Sequence, residues 1–322
     1  MPINETALTY IENIKRKCEI IKPLVVIRCI AYNHEKYIRS ALDGFLIQKT
    51  NFPFIAIIHD DFSTDKTTEI IKEYSRKYPD LIFPIFENEN QYSKKKGIIT
   101  SIMDAASFVT NAKYIAECEG DDYWIDPLKL QKQVDFMEAN PEYTLCFHKS
   151  QVIAEDSKID VSLYSHLQNR EYSANDVIKK WTIPTASVIF KSELLKKIPF
   201  NPNFCVGDNV IFLTCAQYGK LYCLADTMSV YRRQSNGWYL KKNKYEIRKK
   251  MIIHYKALLD TFTNLELPSL KNNIAKDHAS ITFYKIKNKE FSINYLKRAL
   301  QDSGIRYFKY LILFPLRKII RK

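Results

Sequence analysis

Leu24-Val25-Val26-Ile27-Arg28-Cys29-Ile30, followed at once by Ala31-Tyr32-Asn33-His34-Glu35, decides the reading of this chain. The first seven residues form a short run rich in β-branched and apolar side chains. Such a run suits a strand buried on both faces, as strands of a parallel sheet are. Ala31 to His34 reads as the turn that ends it. Residues 35–48 then recover helical spacing through Ile38, Leu42, Phe45 and Leu46. The same unit recurs downstream. Residues 54–59 read as a second strand, which stops at Asp60-Asp61-Phe62-Ser63-Thr64-Asp65. A helix over 66–77 follows, with Ser63 or Thr64 as its N-cap. Residues 81–86 form a third strand, 98–110 a helix and 113–118 a fourth strand, which ends at Glu119-Gly120-Asp121-Asp122. Upstream, residues 5–21 have loose helical periodicity and read as a leader helix stopped by Pro23. This alternation predicts an α/β fold: a mostly parallel sheet flanked by helices.

In open sheets of this kind ligands bind beyond the carboxyl ends of the strands. Here one predicted rim collects an aromatic residue, an amide and at least four carboxylates. Carboxylates gathered in one cleft resist joint ionisation, and a divalent cation relieves that repulsion. Oxygen ligands select Mg²⁺ or Mn²⁺, and Mg²⁺ completes its shell with water and phosphate oxygens. The rim therefore points to a phosphate-bearing substrate. Neither GxxxxGK[ST] nor a GxGxxG after the first strand is present, so P-loop chemistry and the dinucleotide fingerprint are excluded.

The motifs, taken in order, resemble family 2 glycosyltransferases with the GT-A fold, of the bacterial surface-polysaccharide type. The resemblance rests on Ala31-Tyr32-Asn33-His34-Glu35, on Asp60 to Asp65, and on Glu119-Gly120-Asp121-Asp122-Tyr123-Trp124 with its continuation through Val134. Further on, Pro184 to Phe190 resembles the acceptor-side strand, Gly207-Asp208-Asn209 the segment with the catalytic base, and Met228 to Arg232 the strand that closes the site. The likeness spans about 23–238. It implies that Ala31, Tyr32, Asn33 and Glu35 lie at the nucleotide-sugar site, that Asp61 accepts from the base, and that Asp121 approaches the ribose or metal. It implies that Asp122 is the direct ligand of Mn²⁺ or Mg²⁺, that Asp208 takes the acceptor hydroxyl's proton, and that Trp124 and Thr185 face the acceptor. The chain departs from the family pattern twice. Glu119 stands at the first carboxylate of the common DxDD pattern, and Gln234 stands where many relatives place a histidine beside the metal. Gln234 is thus the expected third, weaker ligand.

The reaction so implied is inverting, metal-dependent transfer of a sugar from a nucleoside-diphosphate sugar, a UDP-sugar being favoured, to a hydroxyl of a glycan or lipid-linked saccharide. Two other readings remain at this level. A nucleotidylyltransferase acting on a sugar phosphate would want a Gly-rich basic loop after the first strand, where AYNHEKY stands instead. A non-enzymatic basic adaptor for membrane or nucleic acid leaves the acidic rim unexplained, and no RNP, KH or zinc-finger pattern supports nucleic acid as a partner.

Composition sets the outer limits. The 322 residues are 46% hydrophobic and 26% charged, with 7 Gly and 12 Pro, which excludes wholesale disorder and collagen-like repeats. Seven cysteines without a CxxC read as reduced thiols rather than a disulfide framework or zinc knuckle. The N-terminal residues lack the apolar core of a secretion signal, so a cytoplasmic protein is expected. The net charge of +13 is uneven: residues 1–231 hold 27 basic and 30 acidic residues, whereas 232–322 hold 22 and 6. The organisation expected is a leader helix over 1–22, the catalytic GT-A domain over 23–238 and a basic helical region over 239–322. Within that last region, residues 305–322 carry six basic residues and no acid among aromatic and aliphatic ones. They suit an interfacial helix, broken at Pro315, on the anionic cytoplasmic face of a membrane.

Overall fold

A computed structural model of the chain describes residues 3–94, 97–154, 163–179, 182–233, 244–290 and 292–319. The helix α1 (Glu5–Ile21) starts at Asn4, whose side chain accepts from the Ala7 N–H at 2.7 Å. Such a cap contributes about 1 kcal/mol. Its buried stripe is Ala7, Ile11, Ile14 and Cys18. Lys17 pairs with Asp80, and Asn4 donates to Glu87 at 2.7 Å. The helix expected as a separate leader is thereby packed into the body of the first compact unit.

The strands β1 (Val25–Ala31), β2 (Phe54–Asp60), β3 (Ile82–Phe86) and β4 (Tyr114–Glu117) pair in parallel, in the order β3-β2-β1-β4. Val25, Val26, Ile27 and Cys29 are all fully buried, as are Ile55 to Ile58. Two-sided burial is why these strands read as apolar runs rather than alternating ones. Of the connecting helices, α2 (Ile38–Leu46), α3 (Thr67–Lys77) and α5 (Ile98–Phe108) bury apolar residues against the sheet, whereas α4 (Gln91–Lys94) is a single turn. In α2 the stripe is Ile38, Ala41, Leu42 and Phe45, the i, i+3, i+4, i+7 pattern of a one-sided helix.

Beyond β4 the sheet becomes mixed. It continues through β8 (Ile189–Lys191), β6 (Tyr143–Ala154), β9 (Lys220–Arg233) and the two-residue β5 (Tyr123–Trp124), with β7 (Arg170–Tyr172) on β9. The long β6 and β9 run parallel to each other with register shifts at His148/Lys149 and Lys149/Ser150. The helix α6 (Lys129–Ala139) precedes β6.

The chain forms two compact units, and they interleave in sequence. The first comprises 1–172, 183–197 and 218–234; the second comprises 173–182, 198–217 and 235–322. The last crossing, at 234/235, lies close to the boundary expected near residue 238, and 173–182 and 198–217 also group with the second unit. The helices α7 (Ala174–Lys179) and α8 (Gly207–Tyr218), the latter bearing Asp208, group with the C-terminal helices for nearly their whole length. Those are α9 (Lys244–Thr261), α10 (Pro268–Lys287), α11 (Ile293–Ser303) and α12 (Arg306–Ile319).

The last helix corrects one expectation. It runs on through Pro315 instead of breaking there. Tyr307 is fully buried and shares a 2.6 Å hydrogen bond with Thr282, while Tyr310 and Leu311 pack against a cluster containing Ala279 and Ala299. The apolar residues left outward are Ile305 (83% exposed), Phe308 (48%) and Ile312 (66%). No helix among the described residues is long and apolar enough to cross a membrane.

Candidate active site

Ala31 and Asp60, the last residues of β1 and β2, are paired in register. The loops that follow them are stitched together by side chains that accept backbone N–H groups. Asn33 Oδ1 accepts from the Thr64 N–H (2.8 Å), and Ser63 Oγ accepts from the Asn33 N–H (2.9 Å). Asp65 accepts from the Glu35 N–H at 3.0 Å, and Glu35 accepts from the Lys66 N–H at 3.2 Å. Asp60 is buried and takes the Ser63 N–H and hydroxyl on one oxygen and the Thr68 hydroxyl on the other. Asp60 thus acts as the loop's internal anchor.

Asp61 is 1% exposed, and its two oxygens accept the N–H groups of Gln91 (2.7 Å) and Tyr92 (3.1 Å). It caps α4, not the helix that follows it in sequence. Burial pushes its carboxyl up, and those two N–H donors pull it back. In the fold both of its oxygens are thus already engaged by main-chain donors. Ala31 is fully buried as well. Its expected contact with the nucleotide is corrected: it supports the rim from below, its carbonyl accepting the Asp61 N–H at 3.1 Å. Tyr32, Asn33 and Glu35 are exposed.

The third loop carries the acids. The Cys118 and Gly120 N–H groups bond back to the Arg28 and Ile30 carbonyls (3.0 and 2.9 Å), and the Asp122 N–H closes a turn onto Glu119 O. A side chain at Gly120 would crowd its neighbours. A Cβ there would lie 2.8 Å from His34 Nδ1 and 3.1 Å from the Ala31 Cβ. Glu119, Asp121 and Asp122 each offer a carboxylate oxygen, and these oxygens lie within 4.8 Å of one another. Asp122 is 1% exposed; its Oδ1 accepts the Arg232 N–H at 2.8 Å, and its Oδ2 is buried with no hydrogen-bond partner among the described residues. Burial first, then the charge of Asp121, pushes its carboxyl well above the usual carboxylate range, against the pull of Arg232. A buried acceptor left unmatched costs about 1–3 kcal/mol, more when charged. A cation held by oxygen ligands removes that cost, so the trio fits Mn²⁺ or Mg²⁺. Gln234, the expected third ligand, lies outside the described residues.

Arg232 was visible in sequence only as part of a strand motif, yet it ties the site together. Besides its backbone contact with Asp122, its guanidinium donates to Asp121 O (2.8 Å) and Ser40 Oγ (3.2 Å) and lies 4.2 Å over the Tyr123 ring. Trp124 is corrected. It is 1% exposed, its indole N–H donates to Ala186 O at 2.7 Å, and Phe45 meets its ring edge-on. Gly44 lets α2 sit on the Trp124 backbone, where a Cβ would come within 2.8 Å of the Trp124 nitrogen. The indole is packing and cannot platform an acceptor sugar. The Lys129 ammonium position lies 3.8 Å over the same ring, fully buried, and burial brings its pKa down to about 7. A lysine at a helix start reads in sequence as solvated, so nothing announced it. Thr185 is half-buried in a short 3₁₀ turn, Thr185–Ser187.

Asp208 belongs to the second compact unit, in the first turn of α8, where a negative charge suits the helix N-terminus. Its segment is seated on the buried His254 of α9. His254 Nδ1 accepts the Cys205 N–H at 3.4 Å, Nε2 faces the Asn209 amide at 3.5 Å, and Phe204 meets the ring edge-on. A lone histidine inside a basic helix gave no sequence signal for this.

The model of glycosyl transferase family 2 matches residues 27–212, more than half of the chain. An uncharacterised protein of Mycobacterium tuberculosis is 41% identical over 209 residues, covering 65% of this chain and 58% of that protein. The chain thus spans less than two thirds of the length of these mycobacterial relatives. An uncharacterised glycosyltransferase of Methanocaldococcus jannaschii is 26% identical over 254 residues, covering 76% of this chain and 82% of the relative. Among solved structures, S. aureus TarS 1–349 in complex with UDP-GlcNAc is similar at a TM-score of 0.62 and 17% identity, over 89% of this chain and 83% of that one. The mannosyltransferase PcManGT of Pyrobaculum calidifontis, in complex with GDP-Man and Mn²⁺, gives 0.53 at 16% identity, over 98% and 95%. These two share the fold, a GT-A-type α/β sheet flanked by helices. With the family model matched across the rim loops and the acidic turn, the chain belongs to glycosyl transferase family 2.

Proposed function

We propose that the protein transfers a sugar from a nucleoside-diphosphate sugar to a hydroxyl of a glycan or lipid-linked saccharide, with inversion and with a divalent cation. The observation that carries this is the acidic trio, with the buried, unpartnered Oδ2 of Asp122 at its centre. Asp122, with Asp121 and Glu119, would hold Mn²⁺ or Mg²⁺. When bound, that ion neutralises charge on the departing diphosphate. Arg232 fixes the Asp122 carboxylate and the Asp121 backbone so that no reorganisation is needed as charge develops. Tyr32, Asn33 and Glu35 line the donor side. Asp208 takes the proton of the acceptor hydroxyl, and Thr185 lies on the acceptor side. Structural relatives bind UDP-GlcNAc and GDP-Man, so both uridine and guanosine donors belong in the test.

The same proposal places the protein at an anionic membrane surface on its cytoplasmic side, where a lipid-linked acceptor would reside. The contact is now assigned to Ile305, Phe308 and Ile312, the outward stripe of the last helix and its approach, with Arg306 and Lys309 beside it. Each basic residue near an anionic surface adds about 1 kcal/mol.

The test is a screen of UDP-, GDP- and CDP-sugars for protection from thermal unfolding and for slow hydrolysis, each with Mn²⁺ and with EDTA. Metal-dependent protection by one donor class supports the reading. Release of pyrophosphate from a nucleoside triphosphate and a sugar phosphate would replace it with nucleotidyl transfer.

A further inference from the structure

Among the described residues five non-glycine residues have positive φ. Lys22 closes α1 and Lys289 lies just past α10, where left-handed residues commonly end helices. Asn33 and Asn111 are asparagines, which tolerate that region. The fifth is Phe62, at φ +62° in the loop after β2. A bulky side chain in this conformation is an outlier, and such strain concentrates at ligand sites.

The loop forces that conformation from both sides. The Asp61 N–H is bonded to Ala31 O, and Ser63 is bonded to Asp60. The next residue, Thr64, is bonded to Asn33. A glycine would make the same turn without strain. Core packing does not explain the phenyl group, because Phe62 is 46% exposed and meets no other aromatic ring among the described residues. The loop it stands on is stitched to the β1 loop through Asn33, Ser63 and Thr64, and that loop presents another exposed aromatic, Tyr32, at 43%. A strained backbone thus holds a half-exposed apolar ring beside Tyr32's loop, one residue past Asp61.

We propose that Phe62 contacts the nucleobase of the donor, its ring packing against the base plane and adding affinity for the nucleoside part alone. This rests on the nucleotide-sugar reading above. Base–aromatic contacts are sequence-tolerant and cost roughly tenfold to a hundredfold in affinity when the ring is removed.

The test uses the full chain with Mn²⁺, titrated by calorimetry with UDP, GDP and, as a ligand without a base, pyrophosphate. Phe62→Gly and Phe62→Tyr are compared with wild type, with melting temperatures recorded. Phe62→Gly should weaken UDP or GDP binding by about tenfold to a hundredfold, leave pyrophosphate binding within about twofold, and keep or raise the melting temperature because the strain is gone. Phe62→Tyr should restore nucleotide binding. Nucleotide affinity unchanged in Phe62→Gly would overturn the assignment. So would an equal loss for pyrophosphate with a lower melting temperature, which would make Phe62 a structural residue. Wild-type protein that binds pyrophosphate but neither nucleotide would instead sink the nucleotide-sugar reading itself.

Discussion

At the rim of β1, β2 and β4 the polar side chains mostly hold backbone. Asn33, Glu35, Asp61, Ser63, Asp65 and Asp122 each accept a main-chain N–H from a neighbouring segment, and Asp60 accepts one from its own loop. In the helices α9 to α12 the ion pairs and the contacts of His278 join side chain to side chain. Arg248 pairs with Asp277, Lys256 with Asp302 at 2.7 Å, and His278 bridges Tyr295 and Asp302. The two modes leave different traces in a sequence. A carboxylate that must meet a fixed N–H has few substitutes and a fixed spacing, so it appears as a motif. An ion pair between helices can be exchanged for another pair or for apolar contact, so only periodicity and net charge remain to be read.

The comparison breaks most sharply at Asp122. Asp122→Asn keeps the shape and the Arg232 contact but removes the charge that holds a cation, so turnover should fall by more than about 10³-fold while the fold is retained. Steady-state kinetics with circular dichroism checks this. Comparable turnover in the variant would reduce the trio to a turn. Asp208, in the other unit, should behave differently. Asp208→Asn is expected to lower turnover by about 10²–10⁴-fold with donor affinity nearly unchanged. If donor binding is lost in step with turnover, Asp208 belongs to the donor site instead.

Lys129 sharpens the contrast between tethered and buried polar groups. Its amine titrates near 7 in the fold because of burial, against 10.5 when unfolded. Between about pH 7 and 10.5 the unfolded chain therefore binds more protons, and this lysine's contribution to stability rises with pH across that window. Lys129→Met should stabilise the protein by about 2–4 kcal/mol at pH 7, and the gap to wild type should narrow toward pH 9. Urea denaturation at several pH values decides it; a constant gap would mean the amine is charged throughout. The smallest effect is expected at the helical end. Replacing Ile305, Phe308 and Ile312 by serine should weaken binding to anionic vesicles by about tenfold at low salt and leave transfer to a soluble acceptor unchanged. Equal binding by the variant and wild type would remove the membrane assignment.

How legible the molecule was follows the same division. The parallel strands were readable because burial on both faces leaves apolar runs at 25–31, 54–60 and 114–117. The strand β6 was not read, and β9 was read only from Met228 to Arg232. They mix Thr144, His148, Lys149 and Asp226 with apolar residues, and their register shifts interrupt any period of two. The acidic rim was readable because it combines strand ends with carboxylates. Trp124 was misread because its acceptor role came from the resemblance alone, and only the approach of Gly44 and Lys129 shows that its indole is buried. Arg232 was under-read because its decisive contacts use its own N–H and the Asp121 carbonyl, groups that every residue carries. His254 and Phe62 gave no signal, since their meaning lies in burial and in a backbone angle.

The most direct test of the central claim measures nucleoside diphosphate released from the preferred donor sugar, by wild type and by Asp122→Asn, with Mn²⁺ and with excess EDTA. The account predicts release by wild type with Mn²⁺ and none above background in the other three conditions. Full release in EDTA, or from Asp122→Asn, would contradict it.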